Sequence, residues 1–337
     1  MSDSTRIIRF YENGGPLLLE TVAVEQPASN EVRLRIHALG LNRVEEVFHS
    51  GSYFIKPVLP SKLGVEAAGV VEAVGSDVDP NWVGKRVAII PSIEMTHYGV
   101  AGETAIVPAD VVVELPDNVP FDRGAATWMA YLTAYGALPP QDIGSGDFVL
   151  INAASSSVGL AMIQTAHVLG AKTIAVTRSA AKKETLLARG ADYAIASEGE
   201  NFVAEVKAIT GGNGARIVLD PVAGNGLWKL AEVTATAGSL IVYGYLGTDM
   251  FGFKDGQPTP FPFLEAVARN LNIRGYNARF LMADHAEMAR GKDFITGHLA
   301  SGDFQPNIDQ AFPLEKIEEA YDHLRQGRQV GKIIVTV

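Results

Sequence analysis

The chain contains no cysteine. That absence excludes disulfides, thiolate zinc sites and a cysteine nucleophile. Runs of basic residues are missing as well. In 337 residues, 38 acidic side chains outweigh 28 basic ones for a formal net charge of −10. No Lys/Arg stripe is available to neutralise a phosphate backbone, so no nucleic-acid partner is expected. Nor is there a long apolar run. The most apolar long stretch, Val149 to Leu169, is broken by Asn152, three serines, Gln164 and His167, and the opening MSDSTRIIRFYENGG puts charges where a signal peptide needs an apolar core. Neither a membrane partner nor secretion is expected, and a soluble cytoplasmic protein is the reading. Internal repeats and low-complexity segments are absent. What is present is 47% hydrophobic side chains, enough for two ordinary domains with packed cores.

The first part of the chain, to about Thr127, consists of short β-rich runs such as EVRLRIHALGL (Glu31 to Leu41) and GVVEAVGSDV (Gly69 to Val78), punctuated by Gly and Pro. This reads as antiparallel β structure. From Phe148 to Tyr276 the texture changes: short apolar strands alternate with helix-like segments, the pattern of a wound parallel sheet. The predicted strands are 148–152, 173–177, 193–196, 216–220, 239–244 and 272–276. The predicted crossover helices are Leu160 to Ala171, Ala180 to Ala191, Asn201 to Thr210 and Leu227 to Thr236. Two more helices are expected at Ala283 to Ala300 and Leu314 to Gln326. The last strand, KIIVTV, has no room in the wound sheet and is expected to return to the first domain.

The segment FVLINAASSSVGLAMIQTAHVLGA reads as strand, tight turn and helix, the context of a phosphate-binding turn. In the G-x-G-x-x-G register the glycine positions are Ala154, Ser156 and Gly159, so only the third keeps its glycine. Two readings stand at this point: Ser155, Ser156, Ser157 and Val158 frame a turn whose hydroxyls serve phosphates, or they cap an ordinary helix. The end of the second strand favours the first. A ribose-reading Asp or Glu is absent there. Thr177, Arg178 and Lys182 instead offer a guanidinium and an ammonium suited to a 2′-phosphate. NADPH is therefore expected over NADH. Cations at a helix start also oppose the macrodipole unless an anion sits among them.

With these segments in register, the chain resembles the medium-chain dehydrogenase/reductase superfamily, in its zinc-free quinone oxidoreductase (zeta-crystallin-like) branch. The resemblance rests on GLNRVEEVFHSGSY at 40–53, LGVEAAGVVEAVG at 63–75, VGKRV at 83–87, MAYLTAYGAL at 129–138, NAASSSVG at 152–159, LDPVAG at 219–224 and VGKIIV at 330–335. It covers nearly the whole chain. It implies an α/β protein: a discontinuous GroES-like β domain (1–125 and 278–337) and a Rossmann domain with a doubly wound parallel sheet (126–277). The zinc-holding positions of the superfamily's alcohol dehydrogenases correspond to Asn42, Val65 and Met129, none a plausible zinc ligand. The seven histidines show no paired ligand spacing either. The expected metal is none.

Without a Lewis acid the acceptor has to be one whose anion is delocalised, a quinone or an α,β-unsaturated carbonyl. The resemblance implies that Tyr53 meets the substrate carbonyl or gives it a proton, and a phenol with an ordinary pKa near ~10 is protonated at neutral pH. It also implies that Asn42 contacts the nicotinamide ribose or an active-site water and that Thr133 lies near the nicotinamide. Gly244, Tyr245 and Asn277 are implied to be cofactor-adjacent. The Pro- and Phe-rich segment Thr248 to Phe263 is read as a loop over a pocket for a small apolar carbonyl or quinone. NIRGY, at the sheet edge, implies a homodimer. The alternatives are an enoyl-thioester reductase, or a weakly catalytic NADPH-binding sensor.

Overall fold

The computed structural model describes residues 3–91, 94–199, 201–249 and 252–337. The β-branched runs of the first part form eight strands: β1 (Ser4–Phe10), β2 (Leu18–Ala23), β3 (Glu31–Gly40), β4 (Ser61–Lys62), β5 (Ala67–Val74), β6 (Arg86–Ile89), β7 (Thr104–Pro108) and β8 (Val112–Glu114). β1 lies antiparallel between β2 and β4. β3 pairs antiparallel with both β5 and β7, and the sheet continues through β6 to β8.

Buried apolar runs form the inner strands of the wound sheet, as expected, and its edge strands are less buried. Its strands are β9 (Phe148–Ile151), β10 (Lys172–Thr177), β11 (Tyr193–Ala196), β12 (Ala215–Asp220), β13 (Thr234–Val242) and, after the small hairpin of β14 (Phe253–Lys254) and β15 (Gln257–Pro258), β16 (Asn272–Gly275). The order β11-β10-β9-β12-β13-β16 is all parallel. It reverses direction between β9 and β12, the topological switch point where an open α/β sheet binds its ligand. Helix boundaries differ from expectation. The helix after β12 stops at Glu232, because Thr234 to Thr236 already belong to β13, which runs on through Ala237 at φ 58° with a shift in register. The first crossover helix starts earlier than predicted, at Ser157, because Ser156 caps it.

After β16 come helices Ala278–Met282 and His285–Ser301, then β17 (Ile308–Pro313), helix Ile317–Gln326 and β18 (Lys332–Thr336). Gly327, at φ 66°, ends the helix before it in the left-handed conformation that glycine takes without strain. β18 does return: it pairs parallel with β17 and antiparallel with β3, Ile334 opposite Gly40. The chain divides into two compact units, residues 1–129 with 296–337, and residues 130–295. The second joint lies later than the expected break after 277, because the first half of helix His285–Ser301 is anchored in the wound unit. There Tyr135 donates to Glu287 at 2.6 Å, and Gly291 leaves space for the Tyr135 ring. No helix among the described residues is long and apolar enough to cross a membrane.

Candidate active site

In the wound unit, the loop after β9 is built for close approach. Ala153 adopts φ 51°. The hydroxyl oxygen of Ser156 accepts from the Gly159 N–H at 3.0 Å, leaving the hydroxyl hydrogen free for an outside acceptor. Gly159 is required, since a Cβ there would meet the Ala154 Cα at 2.6 Å. Lys182 reaches this turn and donates to the Ser155 hydroxyl at 3.3 Å. Thr177 is buried at the end of β10, and Arg178 follows it, exposed, with no ion pair among the described residues. Ser155, Ser156 and Lys182 are thus brought together at the N-terminus of a twelve-residue helix. Thr133 is buried on helix Trp128–Ala137. Asn277 uses its side chain to cap helix Ala278–Met282, accepting from the Arg279 N–H at 3.0 Å.

The ends of β9, β12 and β13 are tied together across the switch point. Asn152 donates to the buried Asp220 carboxylate at 2.8 Å, and the Val222 and Ala223 N–H groups donate to it at 3.0 and 2.9 Å. Burial pushes the Asp220 carboxyl up, against these donors. Gly244 passes so close to this loop that a Cβ would stand 2.7 Å from the Pro221 oxygen. Tyr245 follows, half-buried, its phenol raised by burial. Beside the loop a cavity of about 320 Å³ is lined by Asn152, Ala223, Gly224 and the hairpin residues Lys254, Asp255 and Gln257. The segment expected to be a covering loop therefore carries a hairpin that walls a cavity. Met250 and Phe251 of that segment lie outside the described residues.

The other unit holds Asn42 as the N-cap of helix Arg43–His49. Glu45, three residues on, reaches back as a capping box to accept from the Asn42 backbone N–H at 3.0 Å. It also accepts from the Val65 N–H at 3.0 Å and the Tyr321 hydroxyl at 2.7 Å. Fully buried, its carboxyl is pushed up to about 6, burial outweighing these donors. A second buried carboxylate, Glu66, accepts from Lys332 at 2.6 Å, from the Asn42 amide at 3.3 Å and from the Met129 N–H at 2.9 Å. Lys332 also donates to the Asn42 side-chain oxygen at 2.7 Å. Tyr53 is buried against Phe54, ring centroids 4.0 Å apart, within the apolar core of this unit.

Comparison with known proteins places this geometry. The alcohol dehydrogenase GroES-like domain model matches residues 28–117 and the zinc-binding dehydrogenase model residues 157–290. The human protein named quinone oxidoreductase is 30% identical over 98% of this chain and 97% of its own. The chain belongs to the quinone oxidoreductase branch of the medium-chain dehydrogenase/reductase superfamily. The quinone oxidoreductase of Salmonella typhimurium is likewise 30% identical over 97% of this chain and 98% of its own. The solved structure of Escherichia coli quinone oxidoreductase complexed with NADPH superposes with a TM-score of 0.86 at 27% identity, covering 98% of this chain and 100% of that one.

For a member of the quinone oxidoreductase branch, the sequence reading missed the most heavily hydrogen-bonded groups. Glu45, Glu66, Lys332 and Tyr321 were not singled out, nor were Asn152 and Asp220. One signal was available for Glu45: it stands three residues after Asn42, the spacing of a capping box. Among the described residues no group of three or more His, Asp or Glu side chains could hold a metal ion.

Proposed function

We propose that this protein is an NADPH-dependent oxidoreductase that transfers hydride to a quinone or to a carbon–carbon double bond conjugated to a carbonyl, with no metal ion taking part. The observation that carries the reading is the turn at Ser156. Its N–H groups open a long helix, its cap hydroxyl keeps a hydrogen to donate, and the Lys182 ammonium stands beside it. Such a turn fits a pyrophosphate. Arg178, exposed beyond β10, fits the 2′-phosphate that separates NADPH from NADH. The crossing of Gly244 over Pro221 and the tied ends of β9 and β12 supply the floor on which Thr133, Tyr245 and Asn277 are proposed to meet the nicotinamide half.

When bound, NADPH supplies the hydride. The chain has to orient the reactants, exclude water and provide for the charge that develops on the acceptor oxygen. Asn42, Val65 and Met129 hold none of the donor chemistry zinc prefers, so that charge is met by hydrogen bonds. Tyr53 is the proposed proton donor at the acceptor oxygen, and Asn42 the proposed contact to the nicotinamide ribose or a water. The second copy in a homodimer is proposed to pair at β16, the free edge of the wound sheet. Phe263, Leu264 and Val267, close by in sequence, are exposed apolar side chains.

The test is NADPH oxidation by metal-stripped protein across quinones, enones and enals, with NADH and Tyr53→Phe run in parallel. Turnover with NADPH well above NADH is expected, with Tyr53→Phe slower by about 10²-fold or more if the phenol gives the proton. Activity that requires about one zinc per chain, or NADPH binding without turnover of any acceptor, would overturn the reading. Light scattering reads the oligomeric state, for which two copies are expected.

A further inference from the structure

Hydride transfer as proposed makes no use of a fully buried ion pair, Lys332 with Glu66. Lys332 and Glu66 have side chains 1% and 0% exposed and stand 2.6 Å apart. Well-packed apolar residues would serve stability as well as such a pair, so its presence calls for a role in specificity. The surroundings are shaped around it. Gly40 makes room for the lysine, since a Cβ there would stand 2.7 Å from the Lys332 Cε as well as colliding with the Ala125 oxygen. The far oxygen of Glu66 is fixed by the Met129 N–H in the first turn of helix Trp128–Ala137.

We propose that Lys332 and Glu66 are positioning residues that hold Asn42 as a hydrogen-bond acceptor toward the reactants. This rests on the reading above that Asn42 faces the cofactor. An ammonium can only donate, so the Asn42 atom 2.7 Å from Lys332 is the amide oxygen. The amide NH₂ then points the other way and spends both hydrogens, one on the Gly40 oxygen at 2.9 Å and one on Glu66 at 3.3 Å. The backbone N–H of Asn42 is spent on Glu45. With both amide hydrogens spent, the side chain can meet a ligand only as an acceptor, through its amide oxygen. The group it takes is therefore an O–H or N–H donor, such as a sugar hydroxyl or a water. An oxyanion is refused, so stabilising the acceptor's negative charge falls to another residue. Without Lys332 the amide oxygen would lose the donor that fixes it, and only the Gly40 and Glu66 oxygens would hold the amide, through its NH₂.

A double-mutant cycle tests this. Lys332→Met is made in the wild type and in Asn42→Ala, with the NADPH dissociation constant read by fluorescence titration beside kcat and KM. With Asn42 intact, Lys332→Met is expected to weaken NADPH binding by about tenfold, and Lys332→Arg to recover most of it. With Asn42→Ala in place, the same methionine should change binding by less than about twofold, since contacting residues couple and independent ones add. Equal effects in the two backgrounds, or no effect in either, would overturn the proposal. Circular dichroism checks folding. If the methionine variant does not fold, the isosteric Glu66→Gln passes through the same cycle under the same criteria. Wild-type protein that binds no NADPH overturns the functional reading and this inference with it, whereas wild-type binding without coupling overturns this inference alone.

Discussion

The two units keep their polar groups in opposite places. In the wound unit the side chains buried along the strands are apolar or neutral: Leu150, Ile174, Val218 and Leu240 are fully buried, as is the hydroxyl residue Thr173, and the buried carboxylate, Asp220, sits at a strand end where loop N–H groups can reach it. In the other unit Glu45, Glu66, Lys332 and Asn42 lie inside the fold, tied to β3, β5 and β18 and to helices at both ends of the chain. A parallel sheet covered on both faces has no interior partner for a charge, so its chemistry is confined to the loops. An antiparallel β domain closed by a returning strand can bring distant charged residues together and pair them. The contrast predicts that substitutions at the wound unit's loops separate binding from stability, whereas substitutions in the buried cluster move both.

The largest expected effect breaks the pair. Lys332→Ala leaves Glu66 buried without its counter-charge and should cost about 3–5 kcal/mol, measured by urea unfolding. Leu150→Ala in the apolar sheet should cost a comparable ~2–5 kcal/mol through its cavity alone, but with NADPH affinity per folded molecule unchanged. A Lys332→Ala cost below about 1 kcal/mol would erase the contrast between the units.

Next comes a loop substitution that spares stability. Arg178→Ala removes an exposed guanidinium from the end of β10 and should leave the unfolding midpoint where it is. NADPH binding should weaken by about 1.5–3 kcal/mol, the worth of a charge-assisted hydrogen bond, while NADH binding stays the same. Equal weakening of both cofactors would place Arg178 away from the 2′-phosphate.

Glu45 sharpens the comparison through pH. Burial holds its carboxyl at about 6 against an ordinary 4.5, so the folded protein grips this proton more tightly than the unfolded chain does. The stability it contributes is therefore greatest below about pH 4.5 and falls as pH rises through 6, by about 2 kcal/mol. Unfolding of wild type and Glu45→Gln across this range should show the difference moving in favour of the glutamine variant as pH rises. A constant difference would mean that the three donors around the carboxylate offset its burial.

The inner strands β9, β10 and β12 of the wound sheet were legible because they are buried on both faces and read as apolar runs, and the turn after β9 was legible because its strand–turn–helix context is local. The boundary of β13 was not. Thr234 to Thr236 read equally as the end of a helix, and only the pairing of Thr234 with Ala215 decides. Least legible was the buried cluster. Glu66 and Lys332 are separated by most of the chain, and a charged residue in a strand looks the same in sequence whether it faces water or a partner. VGKIIV helped to carry the family resemblance, yet nothing local said that its lysine is 1% exposed. Asn42 was picked out for its place in a motif, while the ammonium that fixes its amide oxygen, on Lys332, comes from the opposite end of the chain.

The smallest effect concerns Ser156, which stands where the glycine pattern would put its second glycine. Its hydroxyl oxygen caps the Gly159 N–H, and its hydrogen is the part proposed to meet a phosphate. Ser156→Ala loses both and keeps a Cβ in the way of the backbone, so it should cost about 1 kcal/mol of stability and weaken NADPH binding as well. Ser156→Gly also loses the hydroxyl, but it costs only a few tenths of a kcal/mol at an N-cap and lets the pyrophosphate come nearer the backbone. If the serine compensates for a longer contact, the glycine variant should bind NADPH as well as wild type while the alanine variant does not. Alanine and wild type binding alike would show that the hydroxyl only caps the helix, and the anion would then be held by the backbone N–H groups and Lys182.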